Sequence, residues 1–270
     1  MATVFFSGGI DSTTLAFDVA KNPWRYGISP KTEDFRLLTA YMGKEKPAHL
    51  GRLATKIREE AEWTEFAGFS HEFVDATSLF DFQKSDIPHG GAGTMTPLST
   101  KYQPDLQSIS YAPGLHTLLA TVAYNREWFG RSLSAFSDPQ AFFGFQYDGP
   151  IWNEVDKGTV TPNDVSPDYI AALNTLVRVS GPRPGVRFRA PFLENRMDRV
   201  HILELAITIG VPLTWTSSCE QGWMVNCGYC GQCLRRMKAS SYLEDAMKTF
   251  LKKLEDKKAA EKAAKKGKKL

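Results

Sequence analysis

Ser7-Gly8-Gly9-Ile10-Asp11-Ser12 is the stretch on which the reading of this chain turns. An apolar run, Thr3 to Phe6, precedes it and reads as a short buried strand. The segment from Ser12 to Lys21 follows as a helix with Leu15, Phe17, Val19 and Ala20 as apolar positions, running out at Asn22-Pro23. A glycine turn between a strand and a helix lies where open parallel sheets bind ligands. Gly8 and Gly9 let the backbone approach a phosphate and aim successive N–H groups at it. The helix start adds its orphan amides and positive dipole end. Ser7 and Ser12 offer hydroxyls to phosphate oxygens, and Asp11 is placed to hold Mg²⁺ against the charge of a leaving pyrophosphate. The lysine of the GxxxxGK[ST] phosphate loop is absent.

Outward from this turn, strands and helices alternate. Strands are expected at Leu37–Tyr41, Phe69–Val74, Ala141–Phe145 and Phe188–Ala190. Helices are expected from Pro47 to about Trp63, with Leu50, Leu53, Ile57 and Ala61 on one face, and over Leu115–Phe129, Pro167–Val177 and Arg199–Ile209. The polar stretch from Phe80 to Ser110 reads as a long loop, and a last helix follows Arg235. The fold class implied is α/β, an open parallel sheet with helices on both faces. Residues 1–251 form one domain in this reading, with a small C-terminal metal-binding loop at 216–236 and a helix after it.

All four cysteines fall within fifteen residues, as Cys219, Cys227, Cys230 and Cys233. Two successive two-residue spacers, each with glycine after the cysteine, suit tight turns that aim thiolates at one ion. Four thiolates in a compact loop fit tetrahedral Zn²⁺. An iron–sulfur cluster or a redox pair would draw on the same residue type. No cysteine remains outside this pattern, which disfavours sulfur transfer through a cysteine persulfide.

The net charge of +3 is unevenly placed. Lys252 to Lys269 hold nine lysines against Glu255, Asp256 and Glu261, an excess of six, so the remainder carries −3. The body is therefore mildly acidic, and a nucleic-acid surface is not expected on it. The 252–270 tail reads as a frayed helix or disorder, with partner or nucleic-acid binding as the other reading. No apolar run approaches the roughly 20 residues of a membrane span. No basic stretch precedes the first apolar run, so a cytoplasmic location is expected.

The six-residue turn resembles the SGGxDS motif of PP-loop ATP pyrophosphatases, which split ATP between its α and β phosphates and leave an adenylated substrate. Over roughly residues 2 to 245 the chain resembles the 7-cyano-7-deazaguanine synthase family. Tyr111-Ala112-Pro113-Gly114-Leu115-His116 opens a helix as that family's VPGRN-like segment does. Ala190-Pro191-Phe192-Leu193 with Met197-Asp198-Arg199 resembles its TPL segment and the helix after it. Thr216-Ser217-Ser218-Cys219 leads into the cysteine loop, and Arg236 matches the family's arginine three residues past the last cysteine.

The resemblance implies ATP, Mg²⁺ and Zn²⁺ as cofactors, with Asp11 and Ser12 as catalytic residues. It implies conversion of 7-carboxy-7-deazaguanine and ammonia to 7-cyano-7-deazaguanine through an adenylate and an amide, a queuosine-type deazapurine pathway. The motif starts at residue 7 and no Cys/His pair is left over, so free ammonia is the expected nitrogen source. A homodimer is compatible with this class.

The chain departs from the family at several points. The VPGRN arginine is Leu115, the run carrying a second arginine survives as Asp164 to Ile170, and GQRH becomes Gly43-Lys44-Glu45 with His49 displaced. A family lysine is Arg199. His116 and Asp168 are candidate substrate contacts, with helix capping as the bland alternative; for Arg236 the bland alternative is a surface charge. Two other functions stay open: a diverged ligase that stops at the amide or joins the deazaguanine acid to a protein amine, and a nucleotide-binding module without chemistry.

Overall fold

The computed structural model describes residues 1–41, 48–76, 117–125, 139–147, 166–180, 186–217, 233–245, 248 and 252. Five strands form one sheet in the order β3-β2-β1-β4-β5. They are β1 (Ala2–Phe5), β2 (Asp34–Tyr41), β3 (Gly68–Asp75), β4 (Gln140–Phe142) and β5 (Arg187–Arg189). Every pairing is parallel, with Val4 opposite Leu37 on one side and Phe142 on the other. The helices are α1 (Ile10–Lys21), α2 (Ala48–Trp63), α3 (117–125), α4 (Pro167–Ser180), α5 (Pro191–Glu194), α6 (Arg199–Ile209) and α7 (233–245).

The two-residue period of each strand splits its side chains between two cores. Val4, Phe6, Phe35, Leu37 and Phe142 point to one face, where they meet Leu15 and Val19 of α1, Leu50, Leu53 and Ile57 of α2, and Ile202 of α6. Phe5, Leu38, Ala141, Phe143 and Phe188 point to the other, against Leu119 of α3 and Ile170 and Leu173 of α4. A sheet covered on both faces favours apolar residues along its central strand; β1 is buried throughout, with Thr3 its one polar residue.

The strand order decides where a ligand can sit. From β1 the chain passes to β2 and β3 on one side, then returns to lay β4 on the other side of β1. A crevice therefore opens outside the carboxyl ends of β1 and β4.

Several boundaries differ from those expected. Helix α1 starts at Ile10, with Gly9 as its N-cap, so Asp11 sits inside the first turn, where the helix dipole favours an acid. The expected Ala141–Phe145 strand begins one residue earlier, at Gln140, and ends at Phe142; Phe143, Gly144 and Phe145 beyond it border the crevice. Helix α4 runs on to Ser180. Helix α6 keeps its expected bounds because its stops are chemical: Asp198 accepts from the N–H groups of Val200 and His201, and left-handed Gly210 closes the other end. Among the described residues no helix is long and apolar enough to cross a membrane. The expected long loop from Phe80 to Ser110, His116, Cys219, Cys227, Cys230 and the tail beyond Lys252 lie outside the described residues.

Candidate active site

The glycine turn lies at the carboxyl end of β1, on the floor of a cleft of about 180 Å³. Ser7, Gly9, Asp11 and Ser12 give the cleft its polar side, and Phe5, Leu119, Phe143 and Phe145 its apolar wall. The Phe143 and Phe145 rings stack at 4.7 Å between centroids, and Phe5 sits 4.3 Å from Phe143.

The two glycines have different jobs. Gly8 is left-handed at φ +76°, a conformation that glycine adopts without the penalty a Cβ would bring. Gly9 has φ −69° and serves as the helix N-cap. The hydroxyls expected to face phosphate oxygens also brace the loop itself. Ser7 Oγ and Ser12 Oγ are 2.9 Å apart, the Ser7 N–H donates to Ser12 Oγ at 3.1 Å, and the Gly9 N–H donates to Ser7 Oγ at 3.3 Å. Ser217 donates its N–H to the Gly8 carbonyl at 3.0 Å, which ties the segment leading to the cysteine loop onto the glycine turn.

Asp11 is the electrostatic centre. Its Oδ2 pairs with Arg199 Nη2 at 3.0 Å, and its Oδ1 is buried with no hydrogen-bond partner among the described residues. Burial pushes the Asp11 carboxyl above the usual carboxylate range, while Arg199 first, then Arg236 and Arg235, draw it back down. Arg199 is 3% exposed and donates from Nε to Gln146 Oε1 at 2.8 Å. It is the first residue of α6, so the Asp198 cap also sets where the guanidinium starts. Arg236 donates to the Thr216 and Leu213 carbonyls at 3.0 and 2.6 Å. Burial, then Arg199, lowers its pKa from the ordinary arginine value, while Cys233 and Asp11 oppose that shift. The surface-charge reading of Arg236 therefore gives way to an anchored guanidinium in the field of Asp11.

A buried carboxylate oxygen beside a glycine turn, without a partner among the described residues, has the chemistry to accept a cation or a donor. Mg²⁺ takes oxygen ligands and is commonly held by one or two carboxylates together with phosphates. The chemistry of Asp11 fits that role, and Arg199, Arg235 and Arg236 gather positive charge around it.

Other candidates stand at different distances from this centre. Asp168 is exposed in the first turn of α4, where the dipole favours it, behind Ser166, whose hydroxyl accepts from the Tyr169 N–H at 3.2 Å. Its neighbour Tyr169 packs against Phe143 and Phe145 of the cleft wall. Cys233 is buried at the start of α7, three residues before Arg236.

Sequence spacing did not single out Gly144, Gln146 or Arg235. A Cβ on Gly144 would lie 2.8 Å from the Ser12 amide nitrogen and 3.0 Å from the Asp11 carbonyl carbon, so the β4 loop touches the backbone of α1 directly. The available signal was a lone glycine in the apolar run Phe142-Phe143-Gly144-Phe145.

Residues 152–244 match the family described as Queuosine biosynthesis protein QueC. The chain is 37% identical over 248 residues to the 7-cyano-7-deazaguanine synthase of Synechococcus elongatus, covering 88% of this chain and 89% of that protein. It is 24% identical over 239 residues to that of Archaeoglobus fulgidus, covering 88% and 84%. With that of Microcystis aeruginosa it shares 31% identity over 140 residues, half of this chain and 54% of that one. The solved U34-tRNA thiolase NcsA from Methanococcus maripaludis overlaps 92% of this chain and 66% of its own at 13% identity and a TM-score of 0.40, too loose a likeness to carry an argument.

Proposed function

This chain belongs to the 7-cyano-7-deazaguanine synthase family, and on that premise we propose that it joins nitrogen from ammonia to 7-carboxy-7-deazaguanine at the expense of ATP and carries the product on to 7-cyano-7-deazaguanine. The observation that carries this reading is Asp11, held by Arg199 at the head of α1 with one buried oxygen unpartnered among the described residues, in the crevice between β1 and β4.

The acceptor carboxylate is a poor electrophile. ATP supplies an adenylyl group that makes one of its oxygens a leaving group, with pyrophosphate released, and Mg²⁺ supplies positive charge. The residues of the chain do the rest. Gly8, Gly9 and the first turn of α1 present backbone amides where charge develops on the departing phosphates. Asp11 would hold the metal, and Arg199 opposes the rise that burial brings to the Asp11 pKa. Arg235 and Arg236 add positive potential. The wall of Phe5, Phe143 and Phe145 offers a slot for a flat heterocycle and keeps water from the activated acyl group. Ammonia displaces AMP and loses a proton to give the amide; a second adenylation, of the amide oxygen, releases a second pyrophosphate, and departure of AMP with the amide nitrogen's protons gives the nitrile. Cys219, Cys227, Cys230 and Cys233 form the proposed zinc site, which would pin the segment bearing Ser217 and Arg236 to the glycine turn.

Mass spectrometry of a time course with saturating ATP, Mg²⁺, ammonia and 7-carboxy-7-deazaguanine tests the proposal. Transient amide followed by nitrile, with AMP and pyrophosphate as co-products, is expected. Amide that accumulates without nitrile would replace the assignment by a ligase stopping at the amide, and no turnover would point to another acceptor.

A further inference from the structure

One side chain at the glycine turn has no part in the site described above. The first turn of α2 lies on Gly8, where an added Cβ would run into Leu50 Cδ2 and come 3.3 Å from His49 Nε2. Leu50 belongs to the core on one face of the sheet, whereas Phe143, Phe145 and Leu119 belong to the other. His49 therefore meets the turn from the flank opposite the aromatic wall.

The chemistry of the ring can be read from its burial. Among the described residues His49 Nδ1 is buried without a hydrogen-bond partner. A buried, unpaired nitrogen is tolerated better as the lone pair of a neutral ring than as a charged N–H. Burial, and then the nearby Arg52, lower the His49 pKa from its ordinary value, which agrees with a neutral ring. The single proton then sits on Nε2, the atom that faces Gly8.

The surroundings suit an anion. Arg52, three residues on and so on the same side of α2, lies over the Trp215 ring at 5.7 Å. Two residues past Trp215, Ser217 binds the Gly8 carbonyl. One flank of the turn thus combines a neutral N–H donor, a guanidinium and an anchored backbone.

We propose that His49 is a phosphate-binding residue, donating Nε2–H to the outer phosphates of the nucleotide and to the pyrophosphate that leaves. This rests on the reading of Ser7–Ser12 as a phosphate loop, and it assigns the diphosphate end of the ligand to the α2 flank, away from the end that carries AMP.

The test is calorimetric titration of the full chain with magnesium pyrophosphate and, separately, with AMP. H49F keeps a ring of similar size without the donor, H49A removes both, and H49Q restores an amide donor. A lost hydrogen bond to a charged group predicts an affinity for pyrophosphate weakened by about 10-fold or more in H49A and H49F. H49Q should recover most of it, and AMP affinity should stay within about twofold of wild type in all three. Pyrophosphate binding by H49F equal to wild type overturns the proposal and leaves His49 as packing alone. Equal weakening toward pyrophosphate and AMP overturns it too, as damage to the turn as a whole. If H49F does not fold, H49A against H49Q makes the same comparison. A wild-type protein that binds AMP but no pyrophosphate refutes the phosphate-loop reading itself, and His49 with it.

Discussion

Gly144→Ala is the perturbation whose size follows most directly from the structure. Its added Cβ would sit 2.8 Å from the Ser12 nitrogen and 2.9 Å from the Ser12 Cα. Ordinary contact begins at 3.4 Å, so the β4 loop and the start of α1 must part by about 0.6 Å, the difference between 3.4 and 2.8. The atoms met are backbone, and no rotamer change relieves the clash. Overpacking of this kind costs about 1–3 kcal/mol, which lowers Tm by roughly 2–10 °C in a protein of this size. The larger effect should be on chemistry, because the displaced segment carries the amides and Asp11. A misplacement near 1 Å can cost about 100-fold, so we expect kcat/KM to fall by about 10- to 100-fold. Pyrophosphate release measured alongside thermal melting separates the two effects. Gly51→Ala is the control: nothing lies within 4 Å of its Cβ position, and the alanine should add up to about 1 kcal/mol of helix stability with activity unchanged. Wild-type kcat/KM and Tm in Gly144→Ala would refute the claim that this glycine sets the spacing of the site.

Three further outcomes are expected. Asp11→Ala should fold, since the side chain packs little core, yet lose about 100-fold or more in kcat/KM; wild-type product must be AMP with pyrophosphate, and ADP with phosphate would contradict the α–β cleavage. The raised Asp11 pKa places the loss of activity on acidification above the ordinary carboxylate range, because the ionised form is the working one. In Arg199→Met the nearest counter-charge is gone, so that acidic limb of the pH–rate profile should move to higher pH; an unmoved limb would disconnect Asp11 from it. Purified protein should contain one zinc with no visible-region absorbance, and Cys230→Ser should forfeit much of a metal-binding energy of order 10 kcal/mol, giving protease-sensitive protein; a folded, active, zinc-free variant would sink the structural role.

What the chain alone determined was local and periodic. A strand, a glycine turn and a helix placed Asp11 at a helix start, and alternating apolar runs implied a parallel sheet covered on both faces. The Leu50, Leu53, Ile57 and Ala61 stripe is buried as its spacing required, because helical period and burial are both properties of contiguous residues. Arg236 was legible only through its place after the last cysteine, a matter of motif and not of contact. Tertiary structure decided the rest. Asp11 meets Arg199, Gly144 meets Ser12, and Ser217 meets Gly8 across more than a hundred residues. No period in the sequence encodes such meetings. They follow from the return of the chain across β1, which brings the end of β4 and the start of α6 to the same crevice. The sharing of work between the glycines was hidden for the same reason. Composition marks both as permissive, but only the fold shows Gly8 left-handed against the first turn of α2, with no room for a Cβ, and Gly9 extended as the cap of α1.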